Sequence, residues 1–287
     1  MKINYYLSLL LFIYPLNVLS DNNILIQSTT STRDSGFYEY IIPFFYNKHK
    51  INVSVVSVGT GQAIKNASRC DGDLLTVHAI ELEKKFINNG FGVLRNNLMH
   101  NNFVILGPKD DPAGIHNSTN ISEVFYKLYK AKQKFISRGD DSGTHMKEKK
   151  IWNLAQIDSA KLDNSWYLES GQGMGATLNI AIGLNAYTIS DNATWARFNN
   201  KNSHKILFDK DESLHNQYGI IKINPKVCPD LNHNNASIFY DWILSNEGQV
   251  LIDQFTINGI NVFNTNFISN FCFKFVLFWT FNNFTMC

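Results

Sequence analysis

Four segments of this chain share one build: a short apolar run, a cluster of Ser, Thr and Gly, then residues with helical spacing. Ile24-Leu25-Ile26 runs into Ser28-Thr29-Thr30-Ser31-Thr32, and the β-branched Val53-Ser54-Val55-Val56-Ser57-Val58 runs into Gly59-Thr60-Gly61. Phe135-Ile136-Ser137 leads into Arg138-Gly139-Asp140-Asp141-Ser142-Gly143-Thr144, and Trp166-Tyr167-Leu168 into Gly171-Gln172-Gly173-Met174-Gly175-Ala176-Thr177. The first turn of a helix leaves backbone N–H groups unpaired, and the macrodipole adds partial positive charge there. With hydroxyl donors beside them, such ends hold a small anion without importing many cations. One exposed helix end contributes only about 0.3–1 kcal/mol, so several must converge. An isolated Ser or Thr at such a place reads as an N-cap; four clusters in one chain point to a shared anion site.

Arg138 is the fixed cation within these clusters. Its planar guanidinium suits an oxyanion, at roughly 1.5–3 kcal/mol for a charge-assisted hydrogen bond. Asp140 and Asp141 would repel an anion, so they are read as capping the next helix or holding the arginine. Arg33 and Asp34 read as a self-neutralising pair. The side-chain donors that these clusters could offer an oxyanion include Ser28, Thr29, Thr30, Ser31, Thr60, Arg138, Ser142, Thr144 and Thr177, and an N-capping role stays open for each hydroxyl.

Other motifs compete. Gly171 to Ala176 matches the G-x-G-x-x-A dinucleotide pattern, with Asp191 twenty residues beyond Gly171. Its mid-chain position and the lack of a second mononucleotide half argue against a nucleotide-cofactor enzyme, which stays the alternative reading. Gly139-Asp140-Asp141-Ser142-Gly143 misses the G-x-S-x-G nucleophile elbow by one position, so Ser142 is a poor nucleophile even with His145 nearby. No H-E-x-x-H or C-x-x-C occurs, so no metal site and no resident cofactor are expected.

The elements that must position the clusters alternate strand and helix, which predicts an α/β fold with parallel-rich sheets and ligand beyond the carboxyl ends of strands. Gly107-Pro108-Lys109-Asp110-Asp111-Pro112 marks a boundary, and Tyr218-Gly219-Ile220-Ile221-Lys222-Ile223 carries the chain back. Two lobes follow: one from residues 21–106 plus 218–264, the other from 107–217, with a cleft between. The start of the chain, Lys2 followed by a mostly apolar run from Tyr5 to Leu19 and then Ser20, reads as a cleaved secretory signal over residues 1–20. That run is shorter than the roughly 20 residues of a spanning helix. Cys70 and Cys228 could pair in an oxidising compartment; their spacing decides nothing. Residues 265–287 form an atypical Phe-rich tail.

Composition limits the function classes. At 287 residues, 44% hydrophobic and 17% charged, the chain has the apolar content for a packed core and is not a disordered one. With Lys plus Arg at 26 and Asp plus Glu at 24, the charge is +2, too weak for general attraction to nucleic acid.

The four clusters, in this order, with Gly107 to Gly114 and Phe239 to Gly248, resemble the tungstate-binding component of bacterial tungstate ABC uptake systems. The resemblance spans roughly Ile24 to Phe263. It implies a two-lobed periplasmic-binding-protein fold (type II) that closes around tungstate or molybdate and delivers it to a membrane permease. A periplasmic, non-enzymatic monomer is the corresponding expectation. It also implies that the first cluster and Arg138 touch the oxyanion, with Ser142 and Thr144 assisting. Ala79 and Asn102 stand where the family commonly has Asp, and the tail after Phe263 has no counterpart. A folded but inactive remnant of such a protein is a further alternative.

Overall fold

A computed structural model describes residues 22–266. The signal expected at residues 1–20 and all but the first two residues of the tail lie outside the described residues. The first lobe opens with β1 (Asn23–Thr29), α1 (Thr30–Asp34), α2 (Phe37–His49), β2 (Asn52–Val58), α3 (Thr60–Ser68), β3 (Leu74–Val77) and α4 (Ile80–Asn88). The long β4 (Gly92–Pro108) leads into the second lobe, made of α5 (Ile121–Ala131), β5 (Phe135–Ser137), α6 (Gly143–Leu154), β6 (Tyr167–Glu169), α7 (Met174–Gly183), β7 (Tyr187–Asp191), α8 (Asn192–Arg197) and β8 (His204–Phe208). The chain returns along β9 (His215–Ile223) and finishes with α9 (His233–Ile243), α10 (Asn246–Gln254) and a small hairpin, Thr256–Ile257 with Ile260–Asn261.

Among the described residues the strands form a nine-stranded sheet in the order β2-β1-β3-β9-β4-β7-β5-β6, with β8 also on β4. In the first lobe β1 runs parallel to β2 and β3, whereas β9 is antiparallel to β3 and β4. The second lobe repeats the scheme: β5 is parallel to β6 and β7, whereas β4 is antiparallel to β7 and β8. Each half is thus parallel at its outer edge and antiparallel where the chain crosses between lobes.

The crossing differs from the sequence expectation. β4 pairs with β9 as far as Asn102 and with β7 from Phe103 onward, so the sheets change at that step and not at Gly107-Pro108. Beyond the step the strand is buried on both faces, Phe103 and Ile105 feeding one core while Val104 and Leu106 feed the core on the other face. The Gly-Pro turn only ends it. The return strand begins at His215, opposite Asn102, three residues before Tyr218. Its first residues, His215-Asn216-Gln217, are polar and hide the strand from a reading based on apolar runs.

Each lobe buries an aromatic core. Phe37, Phe45, Phe239, Trp242 and Phe263 fill the first; Phe125, Phe135, Trp152, Trp166 and Tyr187 fill the second. Cys70 and Cys228 form a disulfide within the first lobe, with Cα atoms 5.5 Å apart.

Candidate functional site

Strand register brings the four clusters level. Thr29 pairs with Val58, so β1 and β2 end together and α1 and α3 start side by side. In the other lobe Ser137 pairs with Glu169, placing Arg138 beside the turn before α7; Gly171 N–H donates to the Arg138 carbonyl at 2.9 Å. The two pairs of helix starts face each other across the crevice.

From the first lobe, Thr30 opens α1 and its Oγ1 accepts from Arg138 Nη2 at 3.5 Å. Thr60 opens α3, is fully buried, and accepts from the Gly143 N–H at 3.0 Å. That bond joins the first turns of α3 and α6 from opposite lobes. Gly59, the N-cap of α3, lies close to the other lobe as well: a β-carbon there would sit in van der Waals contact with the Asp140 carbonyl oxygen, at 3.6 Å. A β-carbon at Gly173, the residue before α7, would lie 3.9 Å from Thr30 Oγ1. Four starts, α1, α3, α6 and α7, therefore meet around Arg138.

Arg138 is 1% exposed. Its Nη2 pairs with Asp140 Oδ2, while its buried Nε has no partner. Asp140 Oδ1 accepts from Ser142 N–H at 3.2 Å, so this carboxylate both holds the arginine and shapes the turn, as the sequence suggested. Gly139 sits at φ +60, where side chains are disfavoured, and a β-carbon there would lie 2.6 Å from Glu169 Cβ, so the position suits glycine on both counts. Thr144 is fully buried, with Oγ1 unpartnered. A buried hydroxyl and a buried guanidinium N–H without partners are costly, at about 1–3 kcal/mol each, unless something else satisfies them.

Several candidate hydroxyls are already engaged. Ser28 Oγ bonds Tyr38 OH at 2.7 Å and Thr76 Oγ1 at 3.0 Å; burial pushes the Tyr38 phenol up to about 12, so the trio stays neutral. Thr29 Oγ1 caps α1, bonding Thr32 Oγ1 at 2.9 Å. Ser31 is buried in α1, and its carbonyl accepts from Thr194 Oγ1 at 3.4 Å. Ser142 is the N-cap of α6, accepting from His145 N–H at 3.3 Å. Thr177 departs furthest from expectation: Oγ1 donates back to the Gly173 carbonyl at 3.0 Å and meets Ser170 Oγ at 2.8 Å. A hydroxyl four residues into a helix reaches its own first turn more readily than a neighbouring cleft.

Arg33 pairs with Asp34 at 2.8 Å, as its sequence neighbourhood indicated. Beside the helix starts opens a depression of about 400 Å³ lined by Arg33 and Asp34 of α1, Gly175 of α7 and Arg197 of α8. Arg197 is itself paired with Glu39 at 2.7 Å.

The dinucleotide match does not hold in three dimensions. Asp191 is fully buried and caps α8, accepting from Thr194 N–H at 2.9 Å and Thr194 Oγ1 at 2.7 Å, so it is not free to meet a ribose. The strand before the glycine turn, β6, is a three-residue edge strand separated from β7 by β5. Among the described residues no group of three or more His, Cys, Asp or Glu side chains could hold a metal ion. No described helix is long and apolar enough to cross a membrane.

Sequence reading missed a buried polar chain behind the site. His78 Nδ1 lies 3.0 Å from Asn216 Oδ1, Asn216 Nδ2 donates to Asn101 Oδ1 at 2.8 Å, and Asn101 Nδ2 donates to Asp191 Oδ1 at 3.5 Å. It also missed Glu148, one turn beyond Thr144 on α6. Glu148 Oε1 accepts from Tyr167 OH at 2.7 Å and Trp152 Nε1 at 3.1 Å, and burial pushes its carboxyl up to about 7. The i, i+4 spacing from Thr144 was the available signal. Ala79 is the N-cap of α4, where its own N–H donates to Glu83 Oε1 at 2.7 Å and no side chain caps the helix. Asn102 is the last residue of β4 before the sheets change.

Comparison with known proteins gives a consistent picture. The model of the PBP superfamily domain matches residues 19–247. The tungstate-binding protein TupA of Peptoclostridium acidaminophilum is 38% identical over 235 residues, covering 81% of this chain and 81% of that protein. Among solved structures, the tungstate ABC transporter from Geobacter sulfurreducens aligns at 40% identity with TM-score 0.74, over 81% of this chain and 98% of that one. The tungstate-binding protein TupA from Desulfovibrio alaskensis G20 aligns at 37% identity with TM-score 0.72, over 85% and 98%.

Proposed function

The chain belongs to the PBP superfamily, among its tungstate-binding proteins, and from that premise we propose that it is the extracytoplasmic binding component of an ABC importer for tungstate, with molybdate as the other ligand of matching shape and charge. The observation that carries this reading is the meeting of four helix starts from two lobes around a buried arginine. Arg138 is largely balanced by Asp140, so a dianion is held mainly by aligned N–H groups and hydroxyls. The helices α3, α6 and α7, of nine, twelve and ten residues, bring the useful dipoles; α1, with five, brings the N–H groups of a single turn.

In this reading Thr30, Thr60, Thr144 and Arg138 face the oxyanion directly. Ser31 lies beside Thr30 in the same turn, while Ser28, Thr29, Ser142 and Thr177 hold the backbone that presents the N–H groups. The Nε of Arg138 and Oγ1 of Thr144, buried without partners, supply directed donors. Closure removes water, which strengthens each of these bonds. The protein is non-enzymatic in this reading and works as a monomer that docks on a permease. A disulfide is at home in an oxidising compartment, which supports export to the periplasm.

Calorimetric titration of the mature chain with tungstate, molybdate, sulfate and phosphate tests the proposal. Saturable heat with tungstate or molybdate, and far weaker heat with sulfate and phosphate, is expected. No saturable heat with either heavier oxyanion would leave an inactive remnant as the better description.

A further inference from the structure

His78 follows β3 and lies 6% exposed between two parts of the molecule that must move relative to one another for the cleft to open. On its own lobe's side the ring rests on Tyr218, with centroids 4.8 Å apart, and Nδ1 meets Asn216. Asn216 and Asn101 are paired neighbours on β9 and β4, one step from where the sheets change at Asn102 and Phe103. Asn101 passes the chain to Asp191, at the end of β7 in the other lobe. On its opposite side His78 meets the first turn of α6. A β-carbon at Gly143 would lie 2.8 Å from His78 Cε1, 2.9 Å from Nδ1 and 3.2 Å from its carbonyl oxygen. Gly143 is also the residue whose N–H bonds Thr60, and Thr144 comes next.

We infer that His78 is a positioning residue for oxyanion retention: its ring seats the start of α6 against the first lobe and ties that seat to the crossing strands through Asn216. This inference rests on the receptor reading above. It predicts that His78 governs how slowly the closed cleft releases its ligand, whereas filling of the open cleft proceeds without it.

The surroundings give the seat a pH dependence. Arg138 and Lys147 are the charged groups acting on His78; Asn216 and Tyr218 of β9, Phe103 of β4 and Gly143 of α6 complete its contacts. Burial above all, then the two cations, lowers the imidazole from the usual 6.5 to about 4, against the opposing bond from Asn216. Opening returns the ring to water. Closure over the neutral ring is therefore fully favoured above about pH 6.5 and weakens as pH falls from there toward about 4.

Stopped-flow tryptophan fluorescence on the mature protein, with tungstate as ligand and excess molybdate as displacer, separates the two rates. His78→Ala is expected to raise the dissociation rate about tenfold while leaving the association rate nearly unchanged. Wild-type release should accelerate as pH drops below about 6.5, and the His78→Asn profile should be flatter. Both proteins see the same tungstate, so protonation of the ligand cancels in that comparison. Thermal melting of the ligand-free forms identifies any variant that fails to fold, and His78→Gln, of similar bulk, then takes its place. Equal dissociation rates, or parallel pH profiles, in wild type and folded variants overturn the role of His78 alone. Absence of saturable calorimetric heat with tungstate or molybdate on the wild type overturns the receptor reading, and this inference with it.

Discussion

The two lobes present the same device, a pair of level strand ends each feeding a helix start, but they furnish it differently. In the first lobe the site is neutral. Thr30 and Thr60 contribute hydroxyls, and the nearest arginine, Arg33, is tied to its neighbour Asp34. In the second lobe the site carries Arg138 and two of the longer helix starts, backed by the buried acid Glu148. The disulfide belongs to the first lobe only. One lobe is thus a stapled, neutral wall, and the other brings charge. The two walls are joined where Gly143 reaches Thr60 and Arg138 reaches Thr30.

The contrast can be broken deliberately. The largest effect is expected on the staple: the double variant Cys70→Ser, Cys228→Ser should lose roughly 2–5 kcal/mol of stability, because the bridge spans 158 residues of sequence. Tungstate affinity at 25 °C should barely change; a large loss of affinity would show that the wall takes part in binding. Next comes Arg138→Ala, which should weaken binding about tenfold to a hundredfold by calorimetry and, because the side chain is buried against Asp140, also lower the melting temperature of the free protein. Unchanged affinity would return the charge to a purely structural role.

A third variant, Glu148→Gln, probes the acid behind the second lobe. Its folded carboxyl, at about 7, lies above the usual 4.5, so the stability it contributes is complete below about pH 4.5 and is lost as pH rises through about 7. Glu148→Gln should therefore melt higher than wild type at pH 8, by roughly 1–2 kcal/mol, and the gap should close at pH 4.5. A gap independent of pH would deny the buried acid. The smallest effect is expected at the contact the lobes share: Thr60→Val removes the acceptor for Gly143 N–H and should cost about 1 kcal/mol of binding, near fivefold. Ser28→Ala, beside it in the same lobe, should lower the melting temperature and spare affinity, because its hydroxyl bonds Tyr38 and Thr76.

Much of this molecule was legible before any coordinates. Hydroxyls and glycines at helix starts, β-branched strands before them and a single embedded arginine are local features, governed by propensity, capping and the dipole of one helix. They gave the fold class, the alternating elements and the membership of Thr30, Thr60, Arg138 and Thr144 in one neighbourhood. The pairing of Arg33 with Asp34 followed from adjacency, and that of Arg138 with Asp140 is one of the two roles, helix cap or partner of the arginine, that the sequence left open for the acid.

Other features depended on which residues the fold brings together. Whether a hydroxyl faces the cleft or its own backbone is decided by a rotamer and by neighbours distant in sequence: Thr60 turns to Gly143, whereas Thr177 turns back to Gly173. The crossing point escaped because pairing partners change between Asn102 and Phe103 inside one uninterrupted strand, with no Gly, Pro or turn at that step to mark it. The polar chain from His78 through Asn216 and Asn101 to Asp191 links positions 90 to 138 residues apart in sequence, and no local pattern encodes it. Sequence alone determined what each turn could offer an anion, because capping and dipoles act within a few residues. Only the tertiary structure decided which turns meet, because burial and closure act between elements that the chain keeps far apart.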